Sequence, residues 1–254
     1  TVLSDVGGTT ADTQMSVMDL TPGATLRVRV ATRSPYGASA WTVYTETTLI
    51  APPAPPGHLA LAVVGGSTAA LTLTWTAPAS DGGDAIVSYD VELSADNGAT
   101  WAAVASALTP DTTTLTLDKS FGVYRGQAYS LRVAANNGVG ASDWASAGPV
   151  TAYATPGAPR RPTVTVKTGE GRIEATWVAP DDDGGAVISH YVVQVSVNGG
   201  LFETMWEPSV PSLLMRFTPG EIIAVRVSAA NAAGTSPASS QSSAITAARP
   251  PTPP

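Results

Sequence analysis

The sequence predicts an all-β chain built of tandem β-sandwiches, and three observations carry the prediction. Apolar and polar residues alternate with period two, as in Leu71-Thr72-Leu73-Thr74-Trp75 and Tyr89-Asp90-Val91-Glu92-Leu93, which gives each segment one buried and one solvated face. Turn signals return every 8–14 residues and no segment sustains a helical period, the pattern of short antiparallel strands. A whole phrase also recurs: WTAPASDGGDAIVSYDVELS at 75–94 returns as WVAPDDDGGAVISHYVVQVS at 177–196. Trp75/Trp177, Gly82/Gly184, Ile86/Ile188, Tyr89/Tyr191 and Ser94/Ser196 are each 102 residues apart. A repeat of about a hundred residues is the size of one domain.

Along the 254 residues this gives a short first unit, 1–53, two full units, 54–155 and 156–249, and a proline-rich linker, 250–254. Proline clusters at 51–57 (APPAPPG), 155–162 (TPGAPRRP) and 249–254 (RPPTPP) separate them; lacking N–H donors, these read as short, stiff connectors in extended geometry. Residues 59–80 are uncharged for 22 positions, long enough to span a bilayer. Gly65-Gly66 breaks that run, threonines alternate with leucines and Pro78 closes it, so it reads as two strands and a turn. The third strand carries Tyr89, Val91 and Leu93, the fourth follows the Asn97-Gly98 turn, the sixth is YSLRV (129–133), and GASDW leads into the seventh. In the first unit, LTPGATLRVRVATRSPYGASAW (20–41) aligns with the sixth strand and the turn after it. The first three strands and their core Trp are then absent. The expectation is that 1–53 is the C-terminal part of a module, completed by preceding residues or by a neighbouring chain.

A Trp late in the second strand, then AP..DGG..I..Y.V, then an aromatic or aliphatic residue before RV.A.N..G.S, resembles the fibronectin type III family over essentially the whole chain. The resemblance implies immunoglobulin-like sandwiches of seven strands in two sheets, with Trp75 and Trp177 in their cores. The DGG form is common in titin-like intracellular filaments and in bacterial surface or secreted proteins. Tyr129 matches the family's tyrosine-corner position, whereas Leu26 and Ile223 stand there in the other copies and lose the hydroxyl's hydrogen bond.

Composition narrows the function. Only 13% of residues are charged, the net charge is −7, and 56–155 holds three Lys/Arg against eight Asp/Glu. No basic stripe faces a phosphate backbone or an anionic bilayer, so neither nucleic acid nor membrane insertion is expected. With no cysteine, the cores rest on packing alone.

Tests for chemistry give no catalytic, cofactor-binding or metal-ligating residue, and leave ligand-binding residues unidentified. Asp181-Asp182-Asp183-Gly184-Gly185 invites a calcium reading, but the twelfth residue from Asp181 is Val192, where a calcium loop needs a bidentate Glu. The earlier copy keeps only Asp81 and Asp84, so both loops read as turns in which Gly supplies positive φ and Asp bonds its own backbone. NNGVGAS (136–142) has a G-x-G but neither the third glycine nor a following helix to receive a phosphate. His58 and His190 lie in different units, so no nucleophile–base pair forms around them.

The tryptophans remain. Trp101 and Trp206 sit near the fourth strand and read as sheet-edge packing, with a stacking platform for sugar or protein as the alternative. LRVRV (26–30), YSLRV (129–133) and IAVRV (223–227) put Arg29, Arg132 and Arg226 at one outward site, and GASAW and GASDW return Trp41 and Trp144 over it. These pairs should be cation–π braces. The third unit has GTSPA there, so Arg226 should lack an aromatic partner and turn to a carboxylate or water.

The sequence thus reads as a non-catalytic structural or adhesive stalk or spacer, without cofactor. Its expected partners are proteins or neighbouring copies, with carbohydrate as a further ligand class, and its expected location is extracellular or at the cell surface. Two alternatives stand beside it: spacer modules of a secreted carbohydrate-active enzyme, and an intracellular or ciliary filament scaffold.

Overall fold

The computed structural model of the chain describes residues 14, 16–167 and 171–247; the linker expected at 250–254 lies outside the described residues. In the first unit β1 (Thr25–Val28) pairs antiparallel with β4 (Thr45–Thr48), and β2 (Arg33–Ser34) pairs with β3 (Gly37–Ala38) in a tight hairpin. The second unit contains β5 (Gly57–Val64), β6 (Ala70–Thr76), β7 (Ser88–Ser94), β8 (Ala102–Leu108), β9 (Thr114–Leu117), β10 (Ala128–Asn136) and β11 (Ala145–Thr151). They form two sheets, β5-β6-β9 and β11-β10-β7-β8. The third unit contains β12 (Thr163–Lys167), β13 (Arg172–Thr176), β14 (His190–Val197), β15 (Glu203–Trp206), β16 (Ser212–Met215), β17 (Ile222–Asn231), β18 (Gly234–Thr235) and β19 (Ile245–Thr246). Its sheets are β12-β13-β16 and β15-β14-β17-β18, with β19 also on β17.

The alternating residues explain both cores. Leu71, Leu73 and Trp75 of β6 face Tyr89, Val91 and Leu93 of β7 and Leu131 and Val133 of β10, all buried. Ile173, Ala175 and Trp177 meet Tyr191, Val193 and Val195 in the same arrangement. The two core indoles are 3% and 6% exposed, and each meets its tyrosine edge-on, at 5.7 Å for Trp75–Tyr89 and 5.4 Å for Trp177–Tyr191. Burial raises the pKa of both phenols. Tyr129 makes the corner expected of it: its hydroxyl donates to Gly122 O (2.9 Å) and accepts from Tyr124 N–H (2.8 Å).

The seventh strand differs from expectation in the third unit, where it is split into β18 and β19. Between them Ser236, Ser239 and Ser242 donate their N–H groups to the carbonyls of Ala229, Val227 and Val225, each at 2.8 Å. Their hydroxyls accept the N–H groups of those same residues at 2.9–3.0 Å. Three residues of this segment therefore match two of β17, the period of an extended polyproline-like chain and not of a strand. Ser39 and Thr42 bond Thr32 and Val30 in the same way, as Ser142 bonds Ala135.

Candidate functional sites at the module joints and on the arginine face

The DGG loops are turns, and the carboxylates are used within them. Asp81 accepts from Gly83 N–H at 2.8 Å, Asp182 from Gly184 N–H at 3.0 Å and Asp183 from Gly185 N–H at 2.8 Å. Asp181 pairs with Arg160 at 3.0 Å. All four glycines have φ between 78° and 83°, a region that costs a side chain. What sequence reasoning missed is where these loops point.

Each loop docks on the connector that precedes its own module. Ala51 N–H donates to Gly82 O (2.8 Å) and Ala54 N–H to Ser80 O (2.9 Å); at the next joint Ala154 N–H donates to Gly184 O and Gly157 N–H to Asp182 O, both at 2.8 Å. An asparagine at the C-terminal end of the sixth strand closes the contact. Asn137 Nδ2 donates to Ala51 O (2.7 Å) and Asp81 O (2.8 Å), and Asn231 Nδ2 donates to Ala154 O (2.8 Å) and Asp183 O (2.7 Å). Both asparagines are buried. Their Oδ1 atoms are also used, accepting from Val139 and Gly140 N–H in one case and from Ala233 N–H in the other. The connector prolines Pro53, Pro56, Pro156 and Pro159 are buried as well, so these clusters are packed in place as well as stiff.

The second glycine of each pair touches the upstream module. A Cβ on Gly83 would lie 2.6 Å from Gly23 Cα and from Leu49 O, and one on Gly185 would lie 3.0 Å from Gly126 Cα. Gly23 and Gly126 occupy the same turn in successive modules, their N–H groups bonding Leu49 O and Ala152 O at 2.8 Å. The second joint adds an Arg125–Asp182 ion pair, a Thr155 N–H to Gly66 O bond of 2.8 Å, and an approach of Gly65 to Ala233 O that leaves a Cβ at 3.0 Å.

On the outward face of the sixth strand the expected braces are present. The Arg29 guanidinium lies over Trp41 at 4.8 Å and that of Arg132 over Trp144 at 4.5 Å. The period-three segment explains the aim, because Trp41 and Trp144 each stand two residues after the serine that bonds the sixth strand. Trp101 joins from the other side, 4.4 Å from Arg132, and Glu92, directly opposite in register, pairs with the guanidinium at 2.5 Å. The loop before Trp101 is organised by Asp96, which accepts from Thr100 N–H (2.8 Å), Thr100 Oγ1 (2.5 Å) and Ser94 Oγ (2.8 Å). Those donors, Thr100 first, hold its pKa down at about 2.

One expectation on this face needs correction. Arg226 does have an aromatic partner, Phe202, at 4.5 Å. Phe202 arrives from the turn between β14 and β15, and Gln194, opposite in register, accepts from Arg226 Nε at 2.8 Å in place of a carboxylate. Trp101 and Trp206, both partly buried, pack on different faces. A register shift between β14 and β15 turns Trp206 inward, onto Phe217 at 6.3 Å and against the third unit's core, while Trp101 stays on the outer face.

Comparison with known proteins agrees with this architecture. The model of the fibronectin type III domain matches residues 54–151 and 157–245. Fibronectin type-III domain-containing protein 3a of Gallus gallus is 28% identical over 234 residues, 89% of this chain, and the chain spans only 19% of that relative's length. Titin of Drosophila melanogaster is 29% identical over 128 residues, 49% of this chain and 1% of that one. The crystal structure of domains A168-A170 from titin shares the fold with a TM-score of 0.51 at 16% identity, over 87% of this chain and 74% of that one. With the paired sheets, the core tryptophans and the family match in hand, this chain belongs to the fibronectin type III family, as a tandem array of its domains.

Proposed function

We propose that the chain is a non-catalytic spacer, a stalk whose modules hold protein partners or neighbouring copies at set separations. Tandem fibronectin type III domains are structural or protein-interaction modules. The observation that carries it is the treatment of the connectors. Ala51, Ala54, Ala154 and Gly157 all spend their N–H groups on the downstream loop. A free linker leaves such groups to water and lets modules swing. With strands of up to ten residues at about 3.3 Å each, a module is roughly 30–40 Å long, and the chain should extend on the order of 100 Å. Small-angle scattering of the whole chain tests this. A single extended particle with a maximum dimension near that estimate supports the spacer, and a curve that only a broad ensemble of module orientations can fit refutes it.

A further inference from the structure

We infer that the Gly-Gly pair of each DGG loop and the asparagine at the end of the sixth strand form an inter-module clamp that sets the angle between consecutive modules. The inference rests on the spacer reading and names the residues that would carry it. Three features point to a joint and not simply a turn. First, the turns need glycine for φ, but the steric demand goes further: Gly82 and Gly184 are pressed against the carbonyls of Ala51 and Ala154, and Gly83 and Gly185 against the glycine turn of the upstream module. Second, Asn137 and Asn231 use both amide hydrogens on one connector carbonyl and one loop carbonyl, so each side chain ties connector to loop. Third, the set is repeated at both joints, in contacts between residues of like position: Gly83 with Gly23 and Leu49, Gly185 with Gly126. Backbone-to-backbone docking of this kind has few rotamers to adjust. It tolerates only a narrow range of angles.

The clamp also gives the outward faces a fixed relation. If the angle at each joint is set, Trp41–Arg29, Trp144–Arg132–Trp101 and Phe202–Arg226 occupy defined positions along the array, and a partner touching more than one module meets a preformed surface.

The test uses the whole chain, which has no cysteine of its own. Spin labels at Asp111→Cys and Gln241→Cys, both exposed sites, report the distance between the second and third modules by pulsed electron resonance. The unaltered joint should give one narrow distance distribution. Gly185→Val and Asn231→Asp, the latter isosteric but opposing two carbonyls with a carboxylate, should each broaden it at least twofold. Gly199→Val is the control, since its φ of 77° is close to the 82° of Gly185 but a Cβ there meets nothing within 4 Å; it should leave the width unchanged. If either test variant loses amide protection in β17, Gly65→Val reads the same joint from the second module, through its approach to Ala233. A narrow distribution that survives the folded variants overturns the clamp and leaves the spacer standing. A broad distribution in the unaltered chain overturns both.

Discussion

Replacing Trp75 by alanine tests the second module's core and the balance of forces within it. The indole is 3% exposed. Such a ring buries about 150–250 Å², worth about 4–6 kcal/mol at about 25 cal/mol per Å². The edge-on contact with Tyr89 adds about 0.5–1.5 kcal/mol. Against this, Trp75 Nε1 is buried with no hydrogen-bond acceptor among the described residues, a situation that costs about 1–3 kcal/mol and is relieved on truncation. The net loss is about 4 kcal/mol, inside the usual range for removing a buried tryptophan. Trp75→Phe keeps most of the buried ring and removes the unpaired N–H, so it should cost less than about 2 kcal/mol. The assay is native-state hydrogen exchange across a urea series on the whole chain. Amides of β6, β7 and β10 report the altered module, and those of β13, β14 and β17 serve as internal reference. A loss below about 2 kcal/mol for Trp75→Ala, or equal losses for the Phe and Ala variants, would refute this accounting.

Two further outcomes are expected. Asp96, held at about 2 against an ordinary 3.8 by Thr100 and Ser94, contributes to folding in full above its unfolded value, and that contribution is lost as pH falls through about 2. A carboxyl NMR titration should find it ionised at pH 3 and find Thr100→Val moving it back up, and a midpoint near 3.8 in the unaltered chain would contradict the geometry. A double-mutant cycle of Arg132→Ala and Trp144→Ala should show a coupling of about 0.5–1 kcal/mol; strict additivity would mean the stacked pair contributes nothing.

Period-two alternation made β6, β7, β10, β13, β14 and β17 legible, and with them the inward tryptophans and outward arginines, because a strand has only two faces to choose between. Trp144 over Arg132 was legible for a related reason: both lie on chain neighbours that pair. Phe202 over Arg226 was not, because its approach depends on the turn from β14 to β15 and not on the seventh-strand motif. The different faces taken by Trp101 and Trp206 were hidden too, since one shift of register moves a side chain from one face to the other. The DGG loops show the sharpest limit. Their glycines announce positive φ in a single sequence, but the group that forbids a Cβ on Gly82 is the carbonyl of Ala51, 31 positions earlier and outside the loop's own module.

The serine-spaced segment after β17 bears on a hazard that repeated sequences share. Adjacent modules of like sequence can exchange strands or misassemble while folding, and an open sheet edge invites a foreign strand. Ser236, Ser239 and Ser242 cover the edge of β17 with hydroxyls as well as backbone, and the covering chain runs at three residues to the partner's two. Such a border offers no regular ladder to the next strand, and Pro237 has no N–H to offer at all. The chain thus shields one side of its third sandwich from aggregation with a segment that is hydrogen-bonded inward and mismatched outward.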